Sequence, residues 1–135
     1  MDLIINYWAV LVAAVAAFVV GWVWYGPIFG KRWMHLHGKS HESTGGMKMP
    51  MGNMAIEFIA GLVTAYVLAR LVALLGVIDV VGAVHLTVWV WLGFIAATFV
   101  GGVLWEGEKW ELFWIKVGGR FLTILVMTVI LGVWR

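Results

Sequence analysis

Trp24-Tyr25-Gly26-Pro27-Ile28-Phe29-Gly30-Lys31-Arg32-Trp33 joins a long apolar run to the most extended polar segment of the chain. Gly26 is able to take a left-handed backbone and close a helix, and Pro27 cannot continue one. Trp24, Tyr25 and Trp33 are aromatics of the kind that sit at headgroup level. Lys31 and Arg32 follow at once and mark the side of the membrane on which this end lies. The stretch therefore reads as the end of a membrane span near Tyr25.

Composition supports that reading. Of 135 residues, 64% are hydrophobic and 12% charged. A soluble domain of this size could not cover itself with so few polar groups. Four apolar runs, each long enough for a bilayer, imply an all-α, integral membrane four-helix transmembrane bundle. It is a single domain over 1–135, with helices at about 3–25, 54–76, 80–105 and 112–133 and a basic loop at 26–53. The short turn Val77-Ile78-Asp79 makes the second and third helices an antiparallel hairpin. Asp2 stands where a signal peptide would carry Lys or Arg, so the first run is expected to be retained.

Two small-residue stripes, Ala9/Ala13/Ala17/Gly21 and Gly93/Ala97/Gly101, allow close helix approach. There is no cysteine, which excludes disulfides and thiolate metal sites. The net charge of +2 is not a nucleic-acid signature, because the basic residues cluster at segment ends. No nucleophile–base pair, phosphate loop or zinc spacing is present, so no enzyme activity and no cofactor are expected.

Orientation follows from Lys and Arg. The first loop carries Lys31, Arg32, Lys39 and Lys48. The third carries Lys109, with Lys116 and Arg120 just inside the next helix. The N-terminal tail and second loop carry none, so both termini are expected outside and the basic loops in the cytoplasm. Arg70 and Arg135 are exceptions near outer helix ends.

The Trp24–Trp33 stretch resembles the signature of a bacterial family of small four-helix membrane proteins, domain of unknown function 1761 (DUF1761). Asn6-Tyr7 with the following Ala9–Ala14 run, Ala65-Tyr66-Val67-Leu68-Ala69, Trp91-Leu92-Gly93-Phe94, Trp105-Glu106, Leu112-Phe113 and Trp134-Arg135 extend the resemblance along the chain. The resemblance implies a four-helix membrane fold in a bacterial or archaeal inner membrane, and no activity. This chain departs from the family pattern in helix four. Lys116 and Gly119-Arg120 stand there in place of an asparagine and a tyrosine-like pair.

Ionisable residues inside spans are the best functional clue, since each costs about 2.5–3.5 kcal/mol on insertion scales unless paired or snorkelling. Glu57, Lys116 and Arg120 form a candidate intramembrane polar cluster. Glu57 shares a face with Gly61, Thr64 and Ala65 and is expected to point into the bundle. The cluster is either a polar lining or a structural ion-pair group. Arg70, Asp79 and His85 flank the outer turn. They form either a proton-responsive group or an Arg70–Asp79 pair beside a hydrogen-bonded histidine.

Lys31, Arg32 and Trp33 suit an anionic headgroup, and Lys31–Leu36 could form a short interfacial helix. His35, His37, His41, Met47, Met49 and Met51 supply imidazole and thioether, donors that suit copper. Methionines there serve equally as adaptable apolar contacts. The leading expectation is a homo-oligomeric channel- or transporter-like protein. The alternatives are an accessory membrane protein that binds anionic lipid or a partner, and metal handling through the first loop.

Overall fold

The computed structural model describes residues 5–32 and 51–134. Every regular element among them is helical. Four helices are long and apolar enough to cross a membrane: α1 (Tyr7–Ile28), α2 (Met51–Leu75), α3 (Val80–Glu106) and α4 (Trp110–Val133). His35, His37, His41, Met47, Met49 and Trp33 lie outside the described residues.

Local chemistry sets the helix ends. Asn6 caps α1, its side chain accepting the N–H of Trp8 at 3.1 Å and of Ala9 at 3.3 Å. Asp79 caps α3 by accepting Gly82 N–H at 2.8 Å. Gly76 closes α2 with φ 67°, a backbone that a side chain would strain. Val77 N–H then reaches back to Val72 O at 3.0 Å, and both valines are buried. This is a Schellman closure with its apolar contact. Gly107 ends α3 with φ 73°.

Gly26-Pro27 does not end α1. The helix widens to π geometry over Trp24–Ile28 and carries Pro27 inside it. Gly26 is not among the glycines with positive φ. Phe29 N–H bonds Trp24 O, five residues back, at 3.0 Å. A proline strains an α-helix because its ring meets the carbonyl four residues earlier and its nitrogen cannot donate. Widening the turn removes the demand for that bond. A second π segment, Trp91–Ala96, interrupts α3. There the Thr98 hydroxyl donates to Phe94 O at 2.7 Å and to Ile95 O at 3.1 Å. Threonine hydroxyls commonly re-satisfy backbone disturbed in this way within a membrane.

Helix α4 is the hub. It packs against α1, α2 and α3, while α1 also packs on α2. It is the most buried of the four spans and α3 the least. Ala9, Ala13 and Ala17 are buried, so the alanines of the α1 stripe admit their neighbours as expected, whereas a Cβ at Gly21 would meet nothing within 4 Å. The α3 stripe is not used in this way. Gly93 and Ala97 are exposed, and a Cβ at Gly93 would meet nothing within 4 Å.

Each π segment begins with a tryptophan bonded to α4. Trp24 Nε1 donates to Ile115 O at 2.9 Å, and Trp91 Nε1 donates to Val117 O at 2.6 Å. A carbonyl has two lone pairs, so each can accept an indole beside its own helical bond. Carbonyls two residues apart point about 200° apart around a helix, so the indoles hold α4 from opposite sides. Phe121 braces Trp91 edge-on at 5.3 Å between ring centroids. Gly118 and Gly119 make the seat for Trp24. A Cβ on Gly119 would lie 2.8 Å from Trp24 Cδ1 and 2.9 Å from its Nε1.

Gly119→Ala is therefore expected to displace Trp24 and cost about 1–3 kcal/mol, the range for overpacking. Gly93→Ala is expected to cost nothing measurable. Thermal unfolding of both variants in one detergent checks the contrast.

Candidate functional site

The antiparallel order of the helices gathers the end of α1, the start of α2, the end of α3 and the start of α4 at one end of the bundle. Three ion pairs among the described residues lie there, each between segments distant in sequence or across a turn. At the tip, Arg32 Nε and NH2 donate to the two carboxylate oxygens of Glu111. This fork-to-fork pair ties the residues after α1 to the first turn of α4. Hydrogen bonding to Glu111, and then the charge of that carboxylate, hold the Arg32 guanidinium above its ordinary pKa.

Deeper along α4, Lys116 Nζ donates to Glu108 Oε1 at 2.9 Å, and both side chains are largely covered. Glu108 lies on the α3–α4 turn, where Gly107 and Glu108 both send their N–H groups to Gly102 O. The turn folds the Glu108 carboxylate against Gly102, where a Cβ would stand 2.6 Å from Oε2. Phe99 adds a ring 5.6 Å from the ammonium, within range for a cation–π contact.

One turn further on, Arg120 NH1 lies 4.0 Å from Glu57 Oε1. Both side chains are about half exposed, at 50% and 55%. Tyr25 of α1 is within electrostatic range of both. Residues from three helices thus form one polar face on the outside of the bundle. The proposed cluster divides accordingly: Glu57 meets Arg120, whereas Lys116 belongs to Glu108. Glu57 was expected to point inward. Instead Phe58 and Leu62 turn toward the core, and one residue of rotation, about 100°, leaves Glu57 on the rim.

The outer cluster is not one group. Asp79 serves as the α3 cap. His85 is exposed and lines an open recess with Asp79, Gly82 and Trp89. Arg70 turns to Tyr66 instead, with NH1 3.1 Å from the hydroxyl. Of the headgroup residues, Lys31 is exposed and Arg32 is held by Glu111. Of the metal-donor residues, Met51 opens α2; the others lie outside the described residues.

Sequence reasoning missed the roles of Trp24 and Trp91. Their partners are backbone carbonyls, which leave no trace in residue identity. The adjacent Gly118 and Gly119 in mid-helix were the available signal. A family described as "Protein of unknown function (DUF1761)" matches residues 8–132. No curated protein and no solved structure matches the chain.

Glu108→Gln is expected to lower stability by about 1.5–3 kcal/mol, the range for hydrogen bonds to charged groups. Gly102→Ala should act through the same carboxylate. The double variant is then expected to lose less than the sum of the two, as a double-mutant cycle of melting in detergent would read. Glu106→Gln, at an exposed site, should change stability by less than about 0.5 kcal/mol.

Proposed function

The chain belongs to the DUF1761 family, whose description assigns no activity, and on that footing we propose that it is a homo-oligomeric, channel- or transporter-like membrane protein. The observation that carries this reading is the half-exposed Glu57–Arg120 pair. Arg120 lies ten residues into α4 from Trp110, or about 15 Å at 1.5 Å per residue. Charges at such depth facing hydrocarbon are costly, and functional ones face a bundle interior or a water-filled space. A second copy placed against this face supplies that space. Under two-fold symmetry each Arg120 faces the other copy's Glu57 as well as its own.

The interior of one protomer favours a path between copies. The buried polar side chains among the described residues are Thr87 and Thr128. Each donates to a carbonyl of its own helix. In this reading the protein is not an enzyme, and Tyr25, Glu57 and Arg120 are its polar lining. Lys31, Arg32 and Lys109 lie at the cytoplasmic surface of a cell membrane.

A second reading is an accessory protein that binds anionic lipid or a partner. The exposed Lys31 and Lys109 at the charged end favour it.

The two readings part in liposomes. Transport predicts ion flux from vesicles containing the purified chain, above that of empty vesicles. Glu57→Gln with Arg120→Gln should cut this flux about ten-fold or more while melting stays close to wild type. The chain has no cysteine of its own, so Ala60→Cys, on the exposed side of α2 one turn from Glu57, should cross-link copies under mild oxidation. A monomer without flux would discard transport and leave the accessory reading.

A further inference from the structure

The opposite end of the bundle carries a different arrangement, independent of the polar face just described. Tyr7 opens α1. Its ring stacks on that of Tyr66 of α2, with centroids 6.4 Å apart and planes at 12°. One turn beyond Tyr66 stands Arg70. Its guanidinium carbon is 5.8 Å from the centre of the Tyr66 ring, and its NH1 donates to the Tyr66 hydroxyl at 3.1 Å. The guanidinium is partly buried, and no carboxylate among the described residues pairs with it. The three ion pairs take Glu57, Glu108 and Glu111, and Asp79 is spent on its helix cap.

Among the described residues the electrostatics of this corner are therefore cationic. The first turn of α1 holds no acidic residue, and the positive end of the α1 dipole adds to Arg70. An arginine offers five donors, most of which remain after the Tyr66 bond. The Tyr66 hydroxyl accepts from Arg70 and keeps its own proton to donate. Tyr7 is the first residue of α1, and Arg70 lies five residues, or about 7.5 Å, inside the end of α2, so the group stands just below the level at which lipid headgroups lie.

Beside it a cleft of about 240 Å³ opens between α1, α2 and α4. Asn6, Ala9, Ala69, Ala73, Leu131 and Trp134 are among its walls. Ala69 and Ala73 lie on either side of Arg70 along α2, so the residue that carries the cation adjoins two small-residue walls of the cleft. A free inorganic anion has no use for such a slot. An anionic headgroup with an acyl chain uses both halves.

We propose that the Tyr7–Tyr66–Arg70 corner binds the phosphate of an anionic phospholipid, with part of one acyl chain in the adjoining cleft. Guanidinium geometry favours phosphate in a forked contact, and the tyrosine hydroxyl provides a further donor. The small side chains of Ala69 and Ala73 set the width of the slot. The site is distinct from Lys31 and Arg32, which lie at the other end of the bundle.

The test is native mass spectrometry of the full-length protein in mild detergent, titrated with dioleoyl phosphatidylglycerol, dioleoyl phosphatidylcholine or inorganic phosphate. The expected result is retention of phosphatidylglycerol over phosphatidylcholine by about ten-fold or more, and no retention of inorganic phosphate. Arg70→Gln should abolish the preference and Arg70→Lys should keep part of it. Ala73→Leu should weaken retention by filling the slot while the charge stays. Melting in detergent without added lipid reports whether each variant folds. Equal retention of the two lipids, or an Arg70→Gln protein that folds and still prefers phosphatidylglycerol, would overturn the proposal. So would tight retention of inorganic phosphate alone. Asp2 lies outside the described residues. If Asp2→Asn and Arg70→Gln lower melting equally and neither form prefers phosphatidylglycerol, Arg70 belongs to an internal ion pair and the site is refuted.

Discussion

Two indole N–H groups hold this bundle to its central helix. In lipid there is little hydrophobic force between helices, so association rests on close packing and on hydrogen bonds. Trp24 and Trp91 provide both at once. Each sends its N–H to an α4 carbonyl, Ile115 or Val117; Trp24 also fills space that α4 leaves open, and Trp91 packs on the Phe121 ring. The glycines at 118 and 119 are the complement of the Trp24 ring. Both tryptophans begin π segments, so the points where they grip α4 coincide with the two points among the described residues where a helix departs from α geometry. Segments of this kind are uncommon and often sit where function does. Here they flank α4 near Lys116 and Arg120.

The clamp also explains how polar groups are distributed. The core beneath it is apolar, apart from two threonines bonded to their own helices. Charge is accordingly confined to the rim and the ends. At one end three carboxylates meet three cations, and the pairs grade from the exposed Arg32–Glu111 fork to the covered Lys116–Glu108 contact. The Glu57–Arg120 pair is as exposed as the fork and is the longest of the three. At the other end an arginine leans on a tyrosine that stacks on a second one, with no acid beside it among the described residues. The two ends of the bundle thus carry different chemistry.

Much of this fold could be read from residue order. Four apolar runs gave four helices, Val77-Ile78-Asp79 marked the tight turn between α2 and α3, and the alanine stripe of α1 became a buried face. Other features depended on facts that identity alone does not carry. Gly26-Pro27 looked like a helix end, yet a wider turn absorbed the proline. Glu57 lies one residue from Phe58, and the packing of Phe58 and Leu62 decided which of them faced inward. Lys116 found Glu108 because the turn folds back over Gly102, a close approach visible only once the backbone is in place. The Arg70–Tyr66 contact was legible as a four-residue spacing, but the stacking of Tyr7 on Tyr66 joins separate helices and needed the assembled bundle.

The dependence of every other helix on α4 has a consequence for how the protein comes to be. Ribosomes deliver the chain from the N-terminus at about 5–20 residues per second. Of the four helices, α4 is the last to emerge. Helices α1 and α2 can pair as soon as both are in the bilayer, since they contact each other directly. Helix α3 arrives next, joined to α2 by its tight turn, but its main contacts are with a segment not yet made. For several seconds the nascent protein is then a helix pair with a tethered third helix whose Trp91 indole lacks its eventual acceptor. Translocation of α4 supplies both missing acceptors together. Insertion machinery or lipid must shelter those donors until synthesis reaches Val117, so the quality of this bundle is decided late in its biogenesis.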